Sequence, residues 1–430
     1  MEPADTISSF VSGFSYNALD DRTKQEIINR IIDSVANAKY SYSELSPHLD
    51  PLLSSFRGRA LTLSGKRASA DYASFYNSFL IRYLDFNDTY LSKEPLHPSD
   101  MIGGILALAS ETGANGRKVI EAIATGYSVG VSLCDSGSLR KRGIDHVVFL
   151  GVGAAAAASK LLNLSEKETK NAISLALVPH IALRETRSGS LSMWKGGAAA
   201  EAVRNAVFAA LLAKAGITGP DTPFSGKMGL INVIFGGKDF DPSPLERMTG
   251  KEVLRTMIKE YPAEYHAQAA IEAALEIKLR KEVKRVRIET YEAAKTILAD
   301  DRSKWSPQTR ETADHSLPFL VSVSLLTNRF WLDSYSLMRD PKVLDLMAKV
   351  EVEEVEEFTR VYPDKLPVRI TVEYQDGDQD SAYREVPKGH YNNPMSRQEI
   401  IDKAKKLGLS ERAIRKIEGI EEAGEVGIVF

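Results

Sequence analysis

Over roughly the first 280 residues, apolar positions recur every three to four residues, the period of helices that bury one face. Ile27, Ile28, Ile31, Ile32 and Val35 in "TKQEIINRIIDSVANA" form one such stripe. "SDMIGGILALASE" predicts a helix entered through Ser99 or Asp100, both good N-caps. "RKVIEAIATGYSVGVSL" predicts another, and an alanine-rich helix follows from about Val147 to Leu162. Ser165 and Glu168 have the spacing of a capping box. "AAAEAVRNAVFAALLAKAGITGP" reads as a helix stopped by Gly216, with Pro220 just beyond. Alanine faces permit close approach, so several of these helices are expected to be buried on more than one side.

The period shortens near residue 280. "KRVRIET" alternates Val286, Ile288 and Thr290 against Arg285, Arg287 and Glu289, which is strand spacing. "VRITVEY" repeats the alternation, the polar turn "DGDQDS" follows, and "AYREV" predicts the returning strand of a hairpin. Between these strands, "TADHSLPFLVSVSLLT" predicts one helix. Helical text resumes after "YNNP", where Ser396 and Glu399 set a second capping box. The order is a long helical block, a strand-and-helix segment, and a helical tail that could rejoin the first block.

Composition narrows the class. A chain of 430 residues exceeds one hydrophobic core, so two domains are expected. With 43% hydrophobic and 26% charged residues it reads as a soluble globular protein. A net charge of -3 supplies no basic field for nucleic acid or an anionic membrane. No apolar run is long enough to span a bilayer, since "VVFLGVGAAAAASK" stops at Lys160. "MEPADTISSFVSG" lacks the basic and apolar regions of a secretion signal. A lone cysteine, Cys134, forbids an intrachain disulfide and argues against a cysteine-held iron–sulfur cluster. A cytoplasmic location is expected.

Five polar stretches interrupt the apolar text. "DFNDTYLSKEPLHPSD" (85–100) sets Asp85, Asn87, Asp88, His97 and Asp100 between "SFLIRYL" and "MIGGILALAS". Asp85 and Asp88 are three apart, a spacing that puts both on one helical face. The N-cap is the favoured reading for Asp100, and a structural histidine is the default for His97. "RKRGIDHVVFLG" carries Asp145–His146; an aspartate fixes a histidine's tautomer where the fold turns the pair inward, although sequence neighbours often point apart. "LRETRSGSLSMWKGGAAAEA" holds Arg184, Arg187, Ser190, Ser192 and Lys195 before Gly196–Gly197, and a small-residue helix entry beside a cation suits a carboxylate or phosphate. "IKEYPAEYHAQAAIEAAL" holds Lys259, Tyr261, Tyr265, His266 and Gln268; "TRETADHSLPFLVSV" holds Arg310, Asp314, His315 and Ser316. Surface loops, caps and core packing explain each stretch taken singly. Together they set four of the seven histidines, His97, His146, His266 and His315, at the starts of apolar segments. Helix starts favour anions, which points to a pocket for a small polyanion. No HExxH, paired CxxC or Walker motif occurs, and "GVGAAA" is too apolar and lacks the preceding strand that a Rossmann fingerprint needs. "DFNDTY" is loosely similar to the magnesium site of helical isoprenoid synthases, but the second metal-binding stretch such enzymes need is missing.

In order along the chain, "DFNDTYL" with "HPSD" (85–100), "GIDHV" (143–147), "SMWKGGAA" (192–199), "YPAEYHAQAAIEAAL" (261–275) and "ADHSLPFLV" (313–321) resemble motifs of the MmgE/PrpD, or 2-methylcitrate dehydratase, family. Five motifs in order are far more specific than any one. The resemblance implies a mainly α fold: a large all-helical domain (1–272) completed by a helical tail (395–430), with a smaller α/β lid domain (273–394) inserted. It implies a homodimer that acts on a small carboxylate and needs no metal or organic cofactor. "MWKGG" and "YPAEYHAQ" are similar to the dehydratase branch. The expected reaction is therefore loss of water from a 2-methylcitrate-like tricarboxylate to give 2-methyl-cis-aconitate, in propionate catabolism. The alternatives are cis-aconitate decarboxylation, iminodisuccinate epimerisation, or carboxylate binding without turnover.

Carried over motif by motif, the family's site falls on Asp85, His97, His146, Lys195, Lys259 and His266, with Tyr261 a neighbour. In an elimination His146 would be the base, oriented by Asp85 or Asp145, and His97 or Tyr261 the acid. Lys195, Lys259 and Arg187 would hold carboxylates and the developing enolate. Some relatives have Tyr where this chain has Phe319, so a hydroxyl is lacking at that position.

Overall fold

The computed structural model describes residues 2–189 and 191–430; Ser190 lies outside them. The chain divides into two compact units. The first comprises Met1–Arg187, Trp194–Ile258 and Ser396–Phe430, the second Ser188–Met193 and Lys259–Met395.

The first unit is helical. Its elements run α1 (Pro3–Gly13), α2 (Asp21–Leu49), a short ladder of β1 (Ala60–Leu61) with β2 (Arg67–Ala68), α3 (Ala70–Arg82), α4 (Ile102–Thr112), α5 (Gly116–Ser136), α6 (Val147–Leu161), α7 (Glu166–Leu177), α8 (Trp194–Lys214) and the single turn α9 (Leu230–Val233). The Asp20 carboxylate opens α2 by accepting the Thr23 N–H at 2.8 Å. The stripe Ile27, Ile31, Val35 is then fully buried. α5 and α6 cross with backbones touching. A Cβ on Gly153 would lie 2.9 Å from the Gly126 carbonyl, so only glycine permits that approach. The Ser165–Glu168 capping box is formed in both directions at the start of α7.

The second unit carries α10 (Gln268–Glu276), β3 (Val283–Thr290), α11 (Glu292–Leu298), α12 (Arg310–Ala313), α13 (Leu317–Thr327), α14 (Pro341–Met347), β4 (Val350–Glu354), α15 (Glu356–Arg360), β5 (Val368–Tyr374) and β6 (Gln379–Arg384). The sheet order is β4-β3-β5-β6. β3 and β5 are antiparallel, pairing Val286 with Val372 and Ile288 with Ile370; β5 and β6 form the hairpin, and β4 joins the far edge parallel to β3. The inward side chains of β3 and β5 bury against α10 and α13. β4 was not expected from the sequence, although "VEVEE" alternates like a strand with one wet face.

The single helix expected over "TADHSLPFLVSVSLLT" is two. Pro318 has no N–H and its ring clashes with a helical carbonyl four residues back, which is Asp314. That carbonyl instead accepts the Glu264 N–H at 3.0 Å. Ser316 restarts the chain as N-cap of α13, accepting the Phe319 N–H at 3.2 Å.

The tail, α16 (Arg397–Lys406) and α17 (Glu411–Glu418), belongs to the first unit. It opens with the Ser396–Glu399 capping box. Among the described residues no helix is long and apolar enough to cross a membrane.

Candidate active site

Arg82 ends α3, and the chain leaves the helix through Asp85, whose φ of 52° is left-handed. No helix covers residues 83 to 97, so Asp85 and Asp88 do not share a helical face. Side chains of this loop instead enter one buried network. Asp85 takes a bond from Arg82 at 2.6 Å and lies 2.9 Å from Lys195 Nζ. Asn87 donates to Ser99 Oγ and Asp100 Oδ1, both at 2.7 Å. Asp88 accepts from Tyr127 at 2.7 Å and from the Ser99 N–H at 2.9 Å, with Arg30 Nε at 3.5 Å. These acids are all buried, and each is matched by fixed donors, as a buried carboxylate requires.

Asp100 is not the N-cap expected. It lies inside a 3-10 turn, Pro98–Met101, and its carboxyl joins the buried network, with Oδ2 3.5 Å from Arg82 Nε. Burial pushes its pKa up to about 7, against the pull of Arg82 and Asn87. His97 holds the N-cap position of that turn without capping it. Its Nδ1 lies 2.8 Å from the Asp88 carbonyl oxygen. A carbonyl only accepts, so Nδ1 carries the proton and Nε2 is the exchangeable end.

His146 immediately precedes α6. The Asp145 N–H is held by the Ala182 carbonyl at 2.9 Å, and the Asp145 carboxylate folds back over the first helical turn. Its Oδ1 lies 3.0 Å from His146 Nδ1 and 3.3 Å from the Val147 N–H; its Oδ2 takes Arg187 Nε at 3.1 Å. Of the two acids proposed to orient His146, Asp145 is therefore the one beside it, while Asp85 engages Arg82 and Lys195. Burial would raise the Asp145 pKa, but Arg187, His146 and the Val147 N–H outweigh it and hold it low. Burial lowers the His146 pKa to about 3, helped by Arg187, Arg82 and Arg184 and opposed by Asp145. At neutral pH the ring is neutral, with its proton on Nδ1 and a lone pair on Nε2. Nε2 is buried and has no hydrogen-bond partner among the described residues. The His97 and His146 rings stand 5.5 Å apart, edge to face.

Lys195 lies in the first turn of α8 and is buried. Gly196 behind it permits close packing. A Cβ on Gly196 would meet the Phe79 ring at 3.1 Å and Tyr83 Cα at 3.3 Å. This close crossing of α8 on the end of α3 is what brings Lys195 to Asp85. The Lys195 carbonyl accepts Arg187 Nη1 at 2.6 Å, which ties the cation to the Asp145–His146 pair. Arg187 Nη2 is buried with no partner among the described residues. A buried donor and a buried lone pair are thus both left unspent, which calls for an explanation beyond folding. Arg82, Arg187 and Lys195 gather around Asp85 and Asp145, a set of cations suited to carboxylates. Arg184, half-buried in the turn before Arg187, adds to this field.

The second unit holds the remaining residues singled out from sequence. Lys259 and His266 are buried and Tyr261 half-buried. Gln268 pins the segment, accepting the Tyr261 N–H at 3.0 Å and donating to the Tyr261 carbonyl at 2.9 Å. His266 Nδ1 lies 2.8 Å from the Tyr291 hydroxyl. Burial raises the Tyr261 pKa, so its phenol keeps a proton at neutral pH. His315 Nδ1 donates to the adjacent Asp314 carboxylate. Ser192 is exposed. Phe319 is fully buried and stacks on Tyr335 at 6.0 Å, so its ring is core.

Arg82, Tyr127 and Arg30 escaped the sequence reading. Arg82 did leave a signal, a lone cation inside "SFLIRYL" three residues before Asp85. Tyr127 and Arg30 lie on amphipathic helices where nothing distinguishes them from packing and surface residues.

Comparison with known proteins gives the same picture at the level of family. Residues 5–243 match the MmgE/PrpD N-terminal domain and residues 261–420 the MmgE/PrpD C-terminal domain. A Saccharomyces cerevisiae protein named "Probable 2-methylcitrate dehydratase" is 33% identical over 346 residues, 72% of this chain and 66% of that protein. The mitochondrial 2-methylcitrate dehydratase of Yarrowia lipolytica is 33% identical over 66% of this chain and 59% of its own length. The 2-methylcitrate dehydratase of Escherichia coli is 31% identical over 74% of this chain and 71% of its own length. The match thus spans just under two thirds of the first of these relatives and less of the second. Both halves of the chain carry the family's domains, and the protein belongs to the MmgE/PrpD family.

Proposed function

We propose that the protein is a hydro-lyase that removes water from a 2-methylcitrate-like tricarboxylate to give 2-methyl-cis-aconitate. The observation that carries this reading is His146 Nε2: a buried lone pair, without a partner among the described residues, on a neutral imidazole fixed by Asp145 and near Arg187, Arg82 and Arg184. The names of the relatives supply the substrate class.

In the elimination, His146 Nε2 takes the proton from the carbon next to a carboxylate. The electron pair forms the double bond as the hydroxyl leaves, as water, with the Nε2 proton of His97 in its imidazolium form, the Nδ1–H staying on the Asp88 carbonyl. Tyr261 is the second candidate donor and His266 a further proton-transfer group. Lys195 and Arg187 bind carboxylates and stabilise enolate charge, where preorganised donors contribute most; Lys259 is assigned the same task from sequence.

The test offers the purified protein 2-methylcitrate, citrate, cis-aconitate and iminodisuccinate and follows enoate absorbance and product identity. Enoate formation from 2-methylcitrate above the other three is the expected outcome. Turnover of only cis-aconitate or iminodisuccinate would replace the reading with another family chemistry, and binding without turnover would leave a carboxylate-binding protein.

A further inference from the structure

The back of the 85–88 loop is held by a buried cation from the far end of the chain. Lys403 lies on the inner face of α16, one turn from Ile400, and is only 4% exposed. Its Nζ is 2.7 Å from Asp33 Oδ1 on α2, donates to the Phe86 carbonyl at 2.8 Å, and lies 3.6 Å from the centroid of the Phe86 ring. Phe86 is fully buried, and Asn37 Nδ2 also reaches its carbonyl, at 3.5 Å. One ammonium therefore grips both the backbone and the ring of a single loop residue.

Stability alone does not call for this arrangement. A buried ion pair is often no more stabilising than apolar residues of equal volume. What it does supply is a fixed position. Phe86 stands between Asp85, which meets Lys195, and Asn87. Two residues on, the Asp88 carbonyl sets the His97 tautomer. We infer that Lys403 is a positioning residue. By clamping Phe86 it aims Asp85 at Lys195 and the Asp88 carbonyl at His97 Nδ1, so that the C-terminal tail tunes the site without touching substrate. This rests on the proposed reading of the site.

Lys403→Met alone leaves Asp33 as a buried, uncompensated acid. The test therefore compares D33N/K403M, which removes both charges, with D33N/K403R, which keeps a donor for the carbonyl. Expected for D33N/K403M is a cooperative melt near that of D33N/K403R, a kcat lower by about tenfold or more, and a KM changed less than about threefold, since small displacements of positioned groups act on the chemical step. D33N/K403R restores kcat. Histidine-selective nitrogen NMR adds a readout that needs no substrate: His97 is expected as the Nδ1–H tautomer in the parent and D33N/K403R, and as a mixture in D33N/K403M. If the parent turns over none of the tricarboxylates, the functional reading fails while the tautomer still decides the role of Lys403. Parental kcat and tautomer in D33N/K403M would overturn the inference. So would an unfolded D33N/K403M, which makes Lys403 a structural post.

Discussion

His146 illustrates how one side chain is prepared for a task. Its neighbour Asp145 is visible in the sequence, but not that the carboxylate folds back onto Nδ1, because that depends on Val147 and Arg187. The consequence is a base that stays neutral well below the ordinary histidine range. The acidic limb of kcat/KM, which reports the free enzyme, is therefore expected below pH 6.5; a limb at or above 6.5 would contradict the burial argument. Asp100 has the opposite sign. Its folded pKa of about 7 lies above the ordinary 3.8, so the folded chain holds the extra proton between those values and stability falls as pH rises through that window. Asp100→Asn removes that ionisation. The variant should compare more favourably with the parent at pH 8 than at pH 5 in denaturant titrations, and an equal difference at both would refute the assignment. Lys195→Met should lower kcat/KM by about 100- to 1,000-fold, as loss of one preorganised donor does.

At the scale of elements, helical periodicity, the two capping boxes and the β5–β6 hairpin are legible because each is a local pattern. The break between α12 and α13 is legible too, once Pro318 is read against the carbonyl four residues earlier. β4 is harder, since five residues with one wet face look like any charged segment. The crossing of α8 on α3 cannot be read at all, because nothing local in "WKGG" tells that Gly196 admits Phe79 and Tyr83. Gly196→Ala must push that crossing apart by a few tenths of an ångström, and about a tenfold loss of kcat is expected from the displaced Lys195. An unchanged kcat would remove the crossing from the account. Ser316→Ala removes the cap of α13 and should cost about 1 kcal/mol in unfolding free energy, measured by denaturant titration.

For the whole molecule, the sequence order of helical block, strand segment and helical tail matches the order of elements along the fold. The pairing of the tail with α2 is not written in any one stretch, because the Lys403–Asp33 contact joins residues that are far apart in the chain. Family resemblance adds a homodimer as a proposal, for which light scattering should give twice the chain mass; the single-chain mass would contradict it. The proposed elimination, with a neutral buried histidine as its base, is tested most directly by proton NMR of 2-methylcitrate in heavy water, with the parent and with His146→Gln at matched folded concentration. The account predicts conversion to the enoate by the parent and a loss of about 100-fold or more in the variant, the scale of a positioned base. A variant that converts 2-methylcitrate within about threefold of the parent rate would contradict it.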